Sequence, residues 1–109
     1  MKKIITAVLI AIGLSSYALA GEVSIEVTYS GDYANVNVPY GSTASLYAEV
    51  EGGYSWAAIY GYGGNTELEL ESFSNSGLHC AWDTGSWGSY DLDVYCMGVN
   101  TRAYASISW

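Results

Sequence analysis

Apolar and polar residues alternate along the chain from residue 21 to the C-terminus. Val23, Ile25 and Val27, for example, are separated by Ser24 and Glu26, and the spacing of an amphipathic helix is absent. The alternation predicts seven or eight short strands, which are centred on residues 23–28, 36–38, 44–50, 54–60, 68–70, 78–82, 90–96 and 103–109. Short strands separated by glycine-containing turns are typical of an all-β sandwich or barrel.

The same alternation distributes the aromatic residues between the two faces of the predicted strands. Inward positions, which would form the core, hold Trp56, Trp82, Tyr90 and Trp109. Outward positions hold Tyr47, Tyr95 and Tyr104, and predicted loops hold Tyr40, Tyr62 and Trp87.

The first 20 residues have the layout of a secretory signal peptide. Lys2 and Lys3 precede an apolar run over residues 4–14, and Ala18-Leu19-Ala20 forms an A-x-A cleavage site. The apolar run is too short to span a bilayer, so we expect no membrane insertion after cleavage. The sequence therefore predicts one folded domain over residues 21–109, secreted or periplasmic.

Acidic residues dominate the charge of the predicted domain. Without Lys2 and Lys3, Arg102 is the one strong base against eleven acids, which gives a net charge of −10. Binding to nucleic acid or to an anionic membrane needs several basic residues, so both are excluded. A cationic partner is compatible with this charge.

Two cysteines, Cys80 and Cys96, are present, and export would place them where disulfides persist. A bond between them would close a loop that contributes roughly 3 kcal/mol to stability. The alternatives are a redox pair, which favours C-x-x-C spacing, and a metal site, which needs more ligands than these thiols and His79. We expect a structural disulfide.

No pattern in the chain predicts catalysis, a cofactor or a bound metal. His79 is the one histidine, and its strand position points it to solvent, away from any nucleophile. Glu67, Glu69 and Glu71 share one strand face and Asp91 and Asp93 another, whereas glycoside hydrolysis needs carboxylates opposed across a cleft. Such charges more often keep strand edges from aggregating. The acids around residues 83–86 are too sparse for a calcium loop.

Four segments together resemble an immunoglobulin-like β-sandwich of the bacterial Ig-like or PKD type. Residues 38–46 resemble the entry into strand B, 54–56 the strand C segment with its core Trp, 88–96 the G-x-Y-x-L-x-V pattern of strand F, and 100–107 strand G. The resemblance implies an antiparallel sandwich with strands F and G adjacent. Tyr95 and Tyr104 would then lie side by side, with Ile59 and Met97 near them.

The exposed aromatic residues are the one feature that suggests a function. Tyrosine and tryptophan stack on sugar rings and form protein interfaces, although paired tyrosines also stabilise sheets unaided. The candidate binding residues are Tyr95, Tyr104, Trp87, Tyr62 and Ile59. The outward glutamates, those of residues 67–71 included, would lie on the opposite sheet, so that one sheet is acidic and the other aromatic.

Three functions fit these observations. The first is a non-enzymatic binding module for a glycan or a cell-surface protein. The second is an acidic periplasmic inhibitor of a cationic protein such as lysozyme. The third is a subunit that self-assembles through residues 103–109, which would form a free terminal strand.

Overall fold

The computed structural model describes the backbone of residues 2–9 and the whole of residues 21–72 and 77–109. These residues form strands and connecting turns and no helix. The strands are β1 (Lys2–Leu9), β2 (Gly21–Thr28), β3 (Gly31–Glu51), β4 (Tyr54–Gly61), β5 (Leu68–Ser72), β6 (Leu78–Met97) and β7 (Arg102–Ser108). No helix in this part of the chain is available to cross a membrane.

All seven strands belong to one antiparallel sheet in the order β1-β2-β7-β3-β6-β4-β5. Strands β3 and β6 pair along almost their whole length, with a shift of register between Val38 and Thr43. On one side of the shift, residues 43–51 and 78–86 continue the β1-β2-β7 side, here called sheet I. On the other side, residues 31–38 and 88–97 join β4 and β5, here called sheet II.

The sheet folds over at the register shift, so that sheets I and II pack face to face. Strand β4 contacts β7, and β2 contacts β6, although neither pair is hydrogen-bonded. One apolar cluster fills the space between the sheets and draws on both, with Ile25, Leu46 and Ile107 from sheet I and Ile59 and Leu92 from sheet II. The result is an antiparallel sandwich made from one continuous sheet.

Tyr90 lies at the corner where β6 passes from one sheet to the other. Its side chain is fully buried, and its hydroxyl donates a 2.6 Å hydrogen bond to the Ser86 carbonyl oxygen. Gly85 leaves room for this hydroxyl, because a Cβ there would lie 2.2 Å from the Tyr90 oxygen. The prediction that Tyr90 belongs to the core is confirmed.

The predicted all-β fold is confirmed, but the described parts of residues 21–109 contain six strands rather than seven or eight. The predicted strands at 36–38 and 44–50 are two parts of β3, and those at 78–82 and 90–96 are two parts of β6. Pro39-Tyr40-Gly41 and the segment 83–88 carry turn signals, yet both lie where the sheet folds over without a break in either strand. Glycine, proline and small polar residues occur both at sharp bends within a strand and at turns that reverse the chain, so the sequence does not distinguish the two.

The expected disulfide is absent, because Cys80 and Cys96 are both free thiols. Cys80 lies opposite Glu49 on the outer side of sheet I and is exposed, whereas Cys96 is buried in the core from sheet II. Stacked sheets are roughly 10 Å apart, which exceeds the ~7 Å that a disulfide allows between Cα atoms. The Cys96 sulfur instead accepts a 3.0 Å hydrogen bond from the Tyr29 amide.

Strand β7 is paired on both sides, with β2 and with β3, so the expected free terminal strand at residues 103–109 is not formed.

Within the predicted signal peptide, β1 pairs with β2 at one edge of sheet I. The cleavage site after Ala20 lies outside the described residues, and cleavage remains a prediction.

Candidate binding groove

The outer face of sheet II carries aromatic and acidic side chains close together. Strand register sets them in rows across the sheet. One row runs Gly31–Tyr95–Trp56–Glu71, the next Tyr33–Asp93–Ala58–Glu69, and the third Asn35–Asp91–Tyr60. Rings and carboxylates are therefore direct cross-strand neighbours on one surface.

Small residues make part of this face concave. Gly31 lies opposite Tyr95, and a Cβ at position 31 would come within 3.2 Å of the tyrosine ring. Ala58 lies opposite Asp93 and has no exposed surface, because it sits between Trp56 and Tyr60, whose ring centres are 6.5 Å apart. No long side chain rises between the rings at these positions.

Two open depressions result, and they share the Trp56 and Tyr95 side chains. The first has a volume of about 270 Å³ and is lined by Tyr54, Ser55, Trp56, Glu71, Tyr95 and Met97. The second has a volume of about 560 Å³ and is lined by Gly31, Asp32, Tyr33, Trp56, Asp93, Val94 and Tyr95. Together they form one shallow groove, called here the aromatic groove.

Three tyrosine rings of the groove are accessible to a ligand. Tyr33 is 57% exposed, Tyr54 61% and Tyr95 41%. Trp56 is half-buried between the neighbouring strands. Apolar ring surface open to solvent in a concave site is the usual composition of a small-ligand or sugar-binding site.

Asp91 is the most heavily hydrogen-bonded carboxylate of the face. The Tyr33 hydroxyl donates to it at 2.8 Å, the Asn35 amide at 2.7 Å, and the Tyr62 hydroxyl also donates to it. The hydrogen bond from Tyr62, followed by that from Asn35, holds the Asp91 pKa below its ordinary value. Asp91 thus stays ionised and fixes the Tyr33 hydroxyl at the edge of the groove.

Glu69 fixes the opposite side of the face in the same way. Its carboxylate accepts a 3.0 Å hydrogen bond from the Trp56 indole nitrogen and a 3.1 Å bond from the Tyr60 hydroxyl. Burial and then this bond raise the pKa of Tyr60 to about 12. The bond to Glu69 holds Trp56 through the edge nitrogen of its ring, so the bond itself does not cover a ring face.

Asp93 differs from both of these carboxylates. Among the described residues, no group donates a hydrogen bond to it, although it lines the larger depression and is half-buried. Burial, together with the nearby charge of Asp91, raises the Asp93 pKa. The groove lining therefore includes a carboxylate to which no described residue donates a hydrogen bond.

Of the predicted binding residues, Tyr95 lies in the aromatic groove and Tyr62 lies beyond its end, against Asp91. Trp87 is at the fold-over corner, 4.7 Å from the Tyr40 ring. Ile59 is fully buried in the core and cannot contact a ligand. Its inward position follows from its neighbours in β4, because Ala57 and Ile59 alternate with Trp56 and Ala58.

The predicted pairing of Tyr95 with Tyr104 is wrong. Strand β3 separates β6 from β7, so Tyr104 lies on the outer face of sheet I, 5.9 Å from Tyr47. The immunoglobulin-type expectation of adjacent strands F and G therefore does not hold here. On the outer face of sheet I, Arg102 forms ion pairs with Glu26 and Glu49.

The expected separation of an acidic sheet from an aromatic sheet is also wrong. Strand β5, with Glu69 and Glu71, pairs with β4 in sheet II and brings its acids to the aromatic face. Trp82, expected in the core, is 76% exposed at an edge of sheet I. The core is filled mainly by aliphatic side chains and Tyr90, and Trp109 packs against it.

Sequence reasoning missed Trp56, Tyr33 and Asp93 as site residues. Trp56 falls in the predicted core because residues 54–56 resemble a strand C segment whose Trp packs between the sheets. Its correct face follows from the alternation that starts at Ile59, since Ala57 and Ile59 must share the side opposite Trp56.

Within the described residues, no group of three or more His, Cys, Asp and Glu side chains is arranged to hold a metal ion.

No protein-family model and no curated protein matches this chain. One solved structure with some likeness is described as "CBM4 structure and function"; the alignment covers 78% of each chain at 12% identity, with a TM-score of 0.35. A likeness of this size carries no argument about the ligand, so the function must be inferred from the groove itself.

Proposed function

We propose that this protein is a small exported, non-catalytic binding module that holds a glycan in the aromatic groove. The observation that carries the proposal is the juxtaposition of Trp56 and Tyr95. They are direct cross-strand partners, both line the two depressions, and both project from the outer face of sheet II.

The chemistry of a sugar chain matches this arrangement. A pyranose ring has an apolar face of C–H groups, which packs on an aromatic ring, and a rim of hydroxyls, which donate hydrogen bonds. Trp56 and Tyr95 supply adjoining ring surfaces, and Glu71 and Asp93 supply acceptors on either side of them. The open ends of the groove leave room for a chain longer than one sugar.

Asp91 and Asp93 do not form the carboxylate pair of a glycosidase. Hydrolysis needs two carboxyl groups on opposite sides of the scissile bond, one of them positioned as acid. Asp91 and Asp93 project from the same strand face, so both would lie on the same side of a ligand resting on the sheet. Asp91, moreover, is held ionised by its hydrogen bonds.

The experiment is a titration of the purified protein with a panel of soluble oligosaccharides, followed by tryptophan fluorescence and calorimetry. We expect saturable binding that Trp56→Ala and Tyr95→Ala each weaken by about tenfold or more, equivalent to about 1.4 kcal/mol. Trp82→Ala is the matched control, because Trp82 is an exposed tryptophan on sheet I. No binding to any oligosaccharide, or equal losses in all three variants, would overturn the proposal.

One observation favours a second candidate, an inhibitor of a cationic protein. Glu69, Glu71, Asp91 and Asp93 share the outer face of sheet II, and Arg102 lies on the opposite sheet. A complex held by these charges would weaken steeply with added salt, whereas stacking on Trp56 would not. Binding to lysozyme that depends on salt but not on Trp56 would support this candidate.

A further inference from the structure

We infer that the aromatic groove selects a basic amino sugar, a glycan with free protonated amino groups, by placing an ammonium group on Asp93. The inference rests on the proposed glycan-binding function and adds the class of sugar to it.

The first step is the contrast between Asp93 and the other carboxylates of the face. Asp91 accepts hydrogen bonds from three side chains and Glu69 from two. Asp93 accepts none from the described residues, yet it is half-buried in the lining of the groove. A partly desolvated carboxylate is stabilised by a donor, and a charged donor stabilises it most. The ligand is the natural source of that donor.

The second step is the surroundings of Asp93. Tyr33 is its direct cross-strand neighbour on β3, and Trp56 and Tyr95 line the same depression. Aromatic faces attract cations, and an ammonium group among aromatic rings beside a carboxylate is favoured by both interactions. A neutral hydroxyl would gain the hydrogen bond but not the attraction to the rings.

The third step is the sign of the charge along the groove. Glu71 lines the smaller depression, Asp93 lines the larger, and Asp91 and Glu69 lie beside them. The residues that line the two depressions include no Lys or Arg. Uronic acids and sulfated sugars would be repelled by these carboxylates, whereas the amino groups of a basic glycan would be attracted to them.

The Asp93 pKa agrees with this assignment. It is raised by burial and by Asp91, so the protein surroundings of Asp93 disfavour its ionised form. A bound ammonium group would reverse this by stabilising the carboxylate.

The test compares two oligosaccharides of equal length, one of glucosamine and one of N-acetylglucosamine, at about pH 6, where most of the amino groups are protonated. We expect the free-amine form to bind about tenfold more tightly. Asp93→Asn should bring the two affinities close together, because it removes the carboxylate that binds the ammonium group. Asp83→Asn, an exposed acid of sheet I, is the matched control and should keep the preference. Circular dichroism checks that each variant is folded.

Three results would overturn the inference. Equal or tighter binding of the acetylated form would remove the amino-sugar preference and leave the proposed function in place. If Asp93→Asn and Asp83→Asn reduced the preference for the free-amine sugar equally, the preference would come from the overall negative charge and not from a site at Asp93. Tetralysine binding as tightly as the amino sugar would show that the groove recognises charge alone. Failure of both sugars and of every other oligosaccharide would instead remove the proposed function itself.

Discussion

Asp91 and Asp93 lie two residues apart on the same face of β6, and their environments shift their pKa values in opposite directions. Hydrogen bonds from Tyr62, Asn35 and Tyr33 lower the Asp91 pKa, whereas burial and the charge of Asp91 raise that of Asp93. Neighbouring side chains on one strand face thus have different roles, one fixing tyrosines and one left for a ligand.

The first prediction concerns the titration of this pair. In an NMR titration, Asp93 should titrate at higher pH than Asp91, and Asp91→Asn should lower the Asp93 pKa. Because the folded state raises the Asp93 pKa, ionisation of Asp93 opposes folding, and stability falls as pH rises through the interval between its ordinary and its raised pKa. Asp93→Asn should therefore keep or increase the melting temperature at neutral pH. A lower melting temperature would show that the carboxylate has a protein partner.

The second prediction concerns Arg102 on the outer face of sheet I. Its guanidinium joins Glu26 of β2 to Glu49 of β3, across β7. Arg102→Met leaves two carboxylates near each other, and we expect a loss of about 1–2 kcal/mol in the free energy of unfolding by urea. Adding Glu49→Gln should restore part of the lost free energy of unfolding, because it removes the repulsion between the Glu26 and Glu49 carboxylates.

The pH dependence of this cluster follows from Glu49. Burial acts to raise its pKa, but hydrogen bonds from Tyr47 and Arg102 outweigh burial and hold the pKa below its ordinary value. The cluster therefore contributes stability above the ordinary glutamate pKa and loses it as pH falls through the lowered one. Arg102→Met should flatten the acid side of the stability curve; an unchanged curve would contradict the ion pairs.

The third prediction concerns the corner at Tyr90. Tyr90→Phe removes the hydrogen bond to the Ser86 carbonyl oxygen and should cost about 1 kcal/mol in a urea denaturation. Gly85→Ala should cost more, because its Cβ would collide with the Tyr90 hydroxyl. In the double variant, the Phe ring lacks that oxygen, so the cost of Gly85→Ala should shrink. Additive costs would show that the two residues do not touch.

The fourth prediction concerns the thiols. Cys80 is exposed and should react with a maleimide in the native protein, whereas Cys96 is buried and should react after unfolding. Both should be alkylated in denaturant without a reductant, as read by mass spectrometry. If both thiols stayed protected until a reductant was added, they would form a disulfide. That result would contradict the pairing of β6 with β3 and β4, which places Cys80 and Cys96 in different sheets.

The sequence shows which face of a strand a residue occupies, but it does not show which strands pair with each other. Alternation places Tyr90, Leu92 and Val94 in the core, because one buried face imposes a period of two on a strand. It cannot show that β3 separates β6 from β7, since pairing between distant strands leaves no local trace. The groove cannot be predicted from the sequence for the same reason, because it depends on pairing between distant strands. Gly31 must lie opposite Tyr95, and Ala58 must lie opposite Asp93.

The long pairing of β3 with β6 also determines when the chain can fold. Strand β2 needs β7, and β3 and β4 need β6, so the three lack their principal partners until residues 78–108 are available. Folding through such distant pairings is slow, because a long loop must close before the contacts form. A chain that ends at residue 77 should stay unfolded and open to proteases. A chain that includes β6 and β7 should collapse in a late step, after both strands are free to pair.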